Sequence, residues 1–409
     1  MDTGRRMFLK KLKLHNFRNY SNLSLEFDNR PTILLGNNAV GKSNLLESIY
    51  FLSTTKSQRV DSELEFIKQG ESICRVEGEV DEIASSAAPP RNDTSITLSA
   101  GVIATPDSIR GKQSLEITLQ IIDGQFSKKV KVNGVPRRVV DFVGNLPAVI
   151  FYPSDINMVT GAPSLRRWHL DLGLAQVDPE YKKLLTLYEQ VLIARNKVLK
   201  SIRIGEGGMD ELTYWTDELL KDGKVISEKR KTFFEFITTL DKPLGEFEFT
   251  YTESVLSQER LDQYSSREIA AAATLIGPHR DDFDIVILNS FQDLNEMPKP
   301  FDKTQGKQVR HDAGRNLRHF GSRGEQRTAT LAFKLAQLEY MAKVLGKRPI
   351  LLLDDVFSEL DASHRAHVVE IVSKQQTIIA TVELENIPKK FLDEARILRV
   401  QDGKIDLSS

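Results

Sequence analysis

Cysteine is almost absent. Cys74 stands alone in 409 residues, which excludes an intrachain disulfide and any zinc site built on several thiolates, and leads us to expect a reducing compartment. An excess of either charge is also missing. With 56 basic against 57 acidic residues the formal net charge is −1, so the whole-molecule field is not that of a generic polyanion binder, and any surface for nucleic acid must be local. No apolar run approaches the roughly 18 residues of a membrane span, and the opening MDTGRRMFLKKLKL lacks the apolar stretch of a secretion signal. These absences predict a soluble, cytoplasmic chain with no membrane partner. Residues 1–6 read as dispensable, because a cleaner strand pattern starts at Met7. The length exceeds what one core usually serves, so two domains, or one domain with a large insertion, are expected.

What is present divides by hydrophobic period. From Phe8 to Leu35, FLKKLKLHNF, LSLEF and TILLG predict two or three strands, and NLLESIYFLS predicts a helix after them. Between residues 72 and 150 the runs ICRVEGEV, SITLSAGV, LEITLQII, KKVKV and AVIFY predict a β-meander with a flexible loop at 83–95. Its turns fall at Asp123-Gly124 and Asn133-Gly134, where a type I′ turn needs positive φ. The period then lengthens. Tyr181, Leu184, Tyr188, Val191, Leu192, Arg195 and Leu199 share one helical stripe, GEGG at 205–208 interrupts it, and a second helical pattern follows. TLIGPHRDDFDIVIL returns to strand, 289–318 reads as a projecting loop, and the remainder reads helix, strand, helix, strand and a short β tail. The expected fold class is α/β, with residues 1–163 and 271–409 forming a head and 164–270 a helical insertion.

Residues Gly36, Asn37, Asn38, Ala39, Val40, Gly41, Lys42 and Ser43 spell G-x-x-x-x-G-K-S between a predicted strand and a predicted helix. Backbone N–H groups in such a loop curl around a phosphate, Lys42 reaches the β and γ phosphates, and the Ser43 hydroxyl ligates Mg²⁺. Asn37 and Asn38 are residues that tolerate the left-handed conformations such a loop requires. A second motif, PILLLDDVFSELD, runs a buried parallel strand into Asp354, expected to hold Mg²⁺, and Asp355, expected to orient or deprotonate the attacking water. The two motifs stand roughly 300 residues apart, so something large is inserted into one sheet. In FGSRGEQRTA, Ser322 and Gly324 precede a long helix; they form either a second anion-binding terminus or an ordinary N-cap partnered by Glu325 or Gln326.

LKLHNFRNY, GNNAVGKSNLLESIYFLSTTKS, VKVNGVPRR, GAPSLRRWHLDL, LIGPHRDDF, SRGEQRT and LLLDDVFSELD together resemble signatures of the RecF recombination mediator proteins, relatives of the ABC-type ATPases of SMC proteins. The resemblance runs from Met7 over nearly the whole chain; Ser154 departs from it, where an acidic residue usually follows the proline. It implies an ABC-type ATPase head using ATP and Mg²⁺. It further implies that Ser322, Gly324 and Gln326 form a signature loop closing over ATP held by a second copy, and that Asp361 lines the same interface. Asp355 replaces a longer catalytic glutamate, which implies slow turnover, and Thr381 stands where a switch histidine is usual. The implied protein is a weak DNA-dependent ATPase, a clamp that dimerises on ATP and acts in replication restart, recombinational gap repair, recombinase loading and the SOS response. Its implied partners are double-stranded DNA at gaps or single-strand junctions and the mediator RecR. The alternative reading is an ATPase subunit of an ABC transporter.

Clusters at Lys10, Lys11 and Lys13, Lys56 and Arg59, Lys128, Lys129 and Lys131, Arg137 and Arg138, Arg166 and Arg167, and Arg310, Arg315 and Arg318 are candidate backbone contacts to DNA; singly, each is an ordinary solvated face. Arg18 reads equally as a phosphate ligand or a salt bridge. Arg280 reads as a phosphate ligand or, somewhat more readily, as paired with Asp281 or Asp282, and His279 as packed or hydrogen-bonded.

Overall fold

The computed structural model describes residues 5–84, 112–242, 244–288 and 314–406. The chain forms two compact units, residues 1–152 with 341–409, and residues 153–340. The first contains β1 (Arg5–Phe17), β2 (Tyr20–Glu26), β3 (Thr32–Leu35), α1 (Lys42–Thr54), β4 (Ile73–Ala84), β5 (Gln113–Ile122), β6 (Gln125–Val132), β7 (Val135–Arg137), α2 (Val139–Phe142) and β8 (Ala148–Phe151). The second contains α3 (Asn157–Thr160), α4 (Pro163–Val177), α5 (Pro179–Arg203), α6 (Met209–Thr238), β9 (Phe247–Thr252), α7 (Gln258–Ala271), β10 (Asp282–Leu288), β11 (Gly314–Asn316) and α8 (Leu317–Phe320). Helix α9 (Arg323–Leu345) leads back to the first unit, which ends with β12 (Ile350–Asp354), α10 (Ala362–Val372), β13 (Thr377–Thr381), α11 (Lys389–Glu394), β14 (Arg396–Gln401) and β15 (Lys404–Asp406).

Two sheets build the first unit. One is the antiparallel meander, in the order β2-β1-β4-β5-β6-β7. The other, β15-β14-β3-β13-β12-β8, is parallel except at β15 and carries the buried runs TILL, ILLLD and TIIAT. Leu45, Leu46, Ile49, Phe51 and Leu52 of α1 are fully buried. Each such side chain contributes roughly 1.5–3 kcal/mol of apolar burial. Because β3 and β12 both neighbour β13, the loops at their C-terminal ends lie on the same edge, where open α/β sheets bind ligands.

The second unit is not purely helical. The hairpin of α5 and α6 packs beside a three-stranded antiparallel sheet, β11-β10-β9. Its limits at 153 and 340 therefore differ from the helical insertion read at 164–270. Strands β9 and β10 pair with each other across α7, and Arg230 on α6 bonds the Asp281 carboxylate at 2.7 Å, so segments on both sides of residue 270 share one core.

Several sequence expectations need correction. Run AVIFY is not part of the meander: β8 pairs in parallel with β12, since a short apolar run does not reveal its partner. Arg5 and Arg6 are not dispensable, because β1 begins at Arg5, and the Met7 amide and Arg5 carbonyl bond Arg348 at 2.8 and 2.9 Å. Residues 83 and 84 extend β4 and are not loop, while β11 and the start of α8 occupy 314–318 of the expected loop. The expected strand SITLSAGV and the remainder of the loops at 83–95 and 289–318 lie outside the described residues, as does Arg310.

Candidate nucleotide site

The loop from Gly36 to Ser43 joins β3 to α1. Its left-handed residues are Ala39 (φ 65°) and Gly41 (φ 114°), so the tolerance of Asn37 and Asn38 for that conformation is not used. Two glycines are required here. A Cβ at Gly36 would lie 2.4 Å from the Val400 carbonyl oxygen, and one at Gly41 would lie 2.5 Å from the Asn19 amide. Neighbouring side chains fix the turn: Asn19 Nδ2 donates to the Val40 carbonyl at 3.1 Å, and the buried Tyr20 hydroxyl donates to the Gly41 carbonyl at 3.0 Å. Sequence reasoning missed both roles, although Asn19 and Tyr20 belong to the noted FRNY stretch.

Lys42 is buried, and its ammonium donates to the carbonyls of Gly36 at 2.6 Å and Asn37 at 2.7 Å. Burial pulls its pKa down, while the Asp354 and Asp355 carboxylates oppose that shift. Asp354, at the end of β12, is pushed up by burial and held back by a hydrogen bond from Ser43 and by the charges of Arg59 and Lys42. Ser43 and Asp354 therefore meet directly. A hydroxyl and a buried carboxylate in contact form a hard oxygen donor pair that fits Mg²⁺ beside a phosphate. The Asp355 backbone is left-handed (φ 49°); its N–H bonds the Ala380 carbonyl at 2.9 Å, and its own carbonyl accepts from Ser358 Oγ at 2.9 Å. Thr381 ends β13 with its hydroxyl donated to the Glu383 carbonyl at 2.9 Å, a strand-end turn contact, while its carbonyl accepts the Gly36 N–H at 3.4 Å.

Arg18 resolves toward the salt bridge. It grips fully buried Glu47 on α1 with Nε and Nη2, both at 3.1 Å, and the same carboxylate accepts Ser57 Oγ at 2.6 Å and Arg59 Nη1 at 3.0 Å. Four donors thus converge on one carboxylate a single turn beyond Ser43. Nothing in the sequence pattern singled out Glu47, because its partners come from separate loops.

In the second unit, Ser322 and Glu325 form a reciprocal N-cap: the Ser322 N–H donates to Glu325 Oε2 at 2.7 Å, and the Glu325 N–H donates to Ser322 Oγ at 3.3 Å. Against the upward pull of burial, those Ser322 contacts and Arg315 hold Glu325 below the usual carboxylate range. Ser322 and Gly324 are exposed, and a Cβ at Gly324 would meet nothing within 4 Å. Gln326, expected in the same loop, is buried and donates its amide to the Leu317 carbonyl at 2.8 Å, which turns it away from that open surface. Asp361 caps α10 by accepting the His364 N–H at 2.9 Å, and that bond, with Ser363, lowers its pKa to about 2.

Most of the basic candidates have acidic partners. Lys11 pairs with Glu26, Lys13 with Glu77, Lys131 with Glu116, Arg138 with Asp141, and Arg315 with Glu325. Buried Arg166 and Arg318 bond Asp282, Arg167 bonds the Asp281 carbonyl, and Lys128 is fixed between Glu63 and the Thr55 carbonyl. Lys56, Lys129 and Arg137 are exposed and have no acidic partner among the described residues. Arg280 bonds neither adjacent aspartate; it donates to the Thr274 carbonyl at 3.3 Å, because Asp281 and Asp282 are taken by Arg230 and Arg166. His279 is hydrogen-bonded on both ring nitrogens, to Tyr188 and Thr274. No helix among the described residues is long and apolar enough to cross a membrane.

A family model described as the RecF/RecN/SMC N terminal domain matches residues 8–404. The DNA replication and repair protein RecF of Oceanobacillus iheyensis is 31% identical over 98% of this chain and 100% of its own. Its namesake from Halalkalibacterium halodurans is 31% identical over 98% of this chain and 99% of its own. Among solved structures, the recombination mediator protein RecF-ATP in the RecFOR pathway matches with a TM-score of 0.76 at 26% identity, covering 98% of this chain and 99% of that one. An Smc head domain with a coiled coil and joint from Pyrococcus yayanosii shares the fold, with a TM-score of 0.50 at 11% identity.

Proposed function

The chain belongs to the RecF family, and on that premise we propose that it is an ATP-binding DNA replication and repair protein whose two copies close over ATP to grip DNA and part on hydrolysis. One observation carries this reading: the first unit holds Lys42, Ser43, Asp354 and Asp355 along one sheet edge, while the second exposes Ser322 and Gly324 at the start of a long helix whose first turn is capped by Glu325. A phosphate cradle together with an exposed serine and glycine, with open space at Gly324, suits a nucleotide shared between two copies. Full-length relatives bearing replication and repair names leave the transporter reading without support.

The chemistry follows from the residues. Two backbone carbonyls satisfy the buried Lys42 ammonium and hold it ready for the β and γ phosphates. Ser43 and Asp354 would hold Mg²⁺, which offsets phosphate charge when bound. Asp355 orients water and accepts its proton; one methylene shorter than glutamate, it does so slowly, and the protein is a weak ATPase acting as a timer. Lys56, Lys129 and Arg137 supply unpaired positive charge for the DNA backbone, and closing two copies doubles it, which predicts salt-sensitive, sequence-independent binding. The roles in replication restart, gap repair, recombinase loading and the SOS response, and the partnership with RecR, follow from family membership. Sedimentation with ATP tests the core of this proposal. Wild type should dimerise and Ser322→Arg should not, with unchanged ATP affinity; equal dimerisation of both would refute the shared nucleotide.

A further inference from the structure

The turn between β14 and β15 touches the phosphate loop, a contact that the chemistry above leaves unused. Its two residues, Asp402 (φ 46°) and Gly403 (φ 71°), form a tight hairpin closed by the pair Gln401 and Lys404. From this turn the Gly403 N–H donates to the Val40 carbonyl at 3.1 Å. The same carbonyl accepts Asn19 Nδ2 at 3.1 Å, so two turns remote in sequence hold one oxygen of the loop. The approach leaves no room for a side chain: a Cβ at Gly403 would lie 2.8 Å from the Asn19 carbonyl oxygen and 3.3 Å from its Nδ2. Asp123 (φ 50°) and Gly124 (φ 75°) make nearly the same turn between β5 and β6, yet a Cβ at Gly124 would meet nothing within 4 Å. Backbone conformation asks for glycine at both turns; contact asks for it only at Gly403.

What the contact does follows from peptide geometry. A planar trans peptide points its C=O and its N–H in opposite directions, so a Val40 carbonyl held by Asn19 and Gly403 aims the Gly41 N–H away from both turns. The next peptide is fixed likewise. The Gly41 carbonyl accepts the Tyr20 hydroxyl and the Leu45 N–H, both at 3.0 Å, which aims the Lys42 N–H out of the start of α1. Both N–H groups are among those that a helix start leaves without an intrahelical acceptor. Two consecutive donors are thus set before a phosphate arrives, and a loop that need not reorganise on binding gives up less affinity to ordering.

We infer that Gly403, with Asn19, is a positioning residue for the nucleotide: the β14–β15 turn braces the phosphate loop through the Val40 carbonyl and so sets the affinity for the phosphates of ATP and ADP alike. Gly403 acts through the Val40–Gly41 peptide and not by contact with the nucleotide. Every residue of the brace belongs to the first unit, so it is complete in one copy and independent of dimerisation. The inference rests on the reading of Gly36 to Ser43 as a phosphate loop.

The test compares full-length Gly403→Ala, Gly124→Ala, Asn19→Ala and Lys42→Ala by calorimetric titration with ATP and ADP, nucleotide-free melting and steady-state ATPase kinetics. Both glycine variants should lower the melting temperature, since each forces alanine into a left-handed backbone. Only Gly403→Ala should weaken ATP and ADP, by the same factor of about ten, as for the loss of one hydrogen bond, and raise KM at unchanged kcat. Gly124→Ala should bind both nucleotides as wild type does. Wild-type affinity in Gly403→Ala, or an equal loss in Gly124→Ala, would refute the brace when Lys42→Ala has lost ATP. Wild-type affinity in Lys42→Ala would refute the phosphate loop itself. Should Gly403→Ala fail to fold, Asn19→Ala decides: it removes the other donor to the Val40 carbonyl, should weaken both nucleotides equally, and overturns the proposal if it binds them as wild type does.

Discussion

Lys42 is a buried cation whose partners are two carbonyl oxygens, with two carboxylates nearby, and in the proposed complex a phosphate takes its third N–H. Lys42→Ala should therefore weaken ATP binding by roughly a hundredfold, as charged hydrogen bonds of about 1.5–3 kcal/mol are lost, which titration calorimetry would read. Asp355→Asn should leave binding within a few fold and slow phosphate release by about a hundredfold or more, because only a carboxylate takes the proton from water. At this scale the sequence was informative where chemistry leaves no substitute: Lys42, Ser43 and Asp354 lie together as their motifs require. It was uninformative where backbone geometry decides, as at Ala39, and where burial turns a side chain inward, as at Gln326.

Helix α1 depends on more than its apolar face. Glu47 gathers Arg18, Arg59 and Ser57, so Glu47→Gln should cost about 1.5–3 kcal/mol by removing the buried carboxylate that accepts their charged hydrogen bonds, a loss measurable by urea unfolding. The turn at Pro278–Arg280 should be acid-sensitive. His279 donates from Nε2 to Thr274 and accepts at Nδ1 from Tyr188, and burial lowers its pKa from 6.5 to about 4. The unfolded chain takes up this proton as pH falls below about 6.5 and the folded chain only near 4. The contribution is therefore intact above about 6.5 and is lost between those values, on the order of 3 kcal/mol in all. Melting profiles of His279→Asn should fall less steeply over that window than those of wild type; parallel profiles would contradict this assignment. Period alone placed α1, α5, α9 and β12, whereas β8 was assigned to the wrong sheet because four apolar residues carry no record of their partner.

At the scale of the whole molecule, the distance between the two nucleotide motifs announced an insertion, and the structure shows its extent as residues 153–340. Its limits were not legible because β9 and β10 read as an ordinary return to strand, and only their pairing joins them to the helices before. Near-neutral charge was a truer guide, since among the described residues most of the basic clusters are paired with acidic side chains. The account depends most on ATP being held by one copy and covered by another. Light scattering on Asp355→Asn with saturating ATP and Mg²⁺ tests this directly. A particle of twice the 46.2 kDa chain mass, reverting to single copies when Ser322→Arg is added, is the predicted result. A single-chain mass under the same conditions would contradict it.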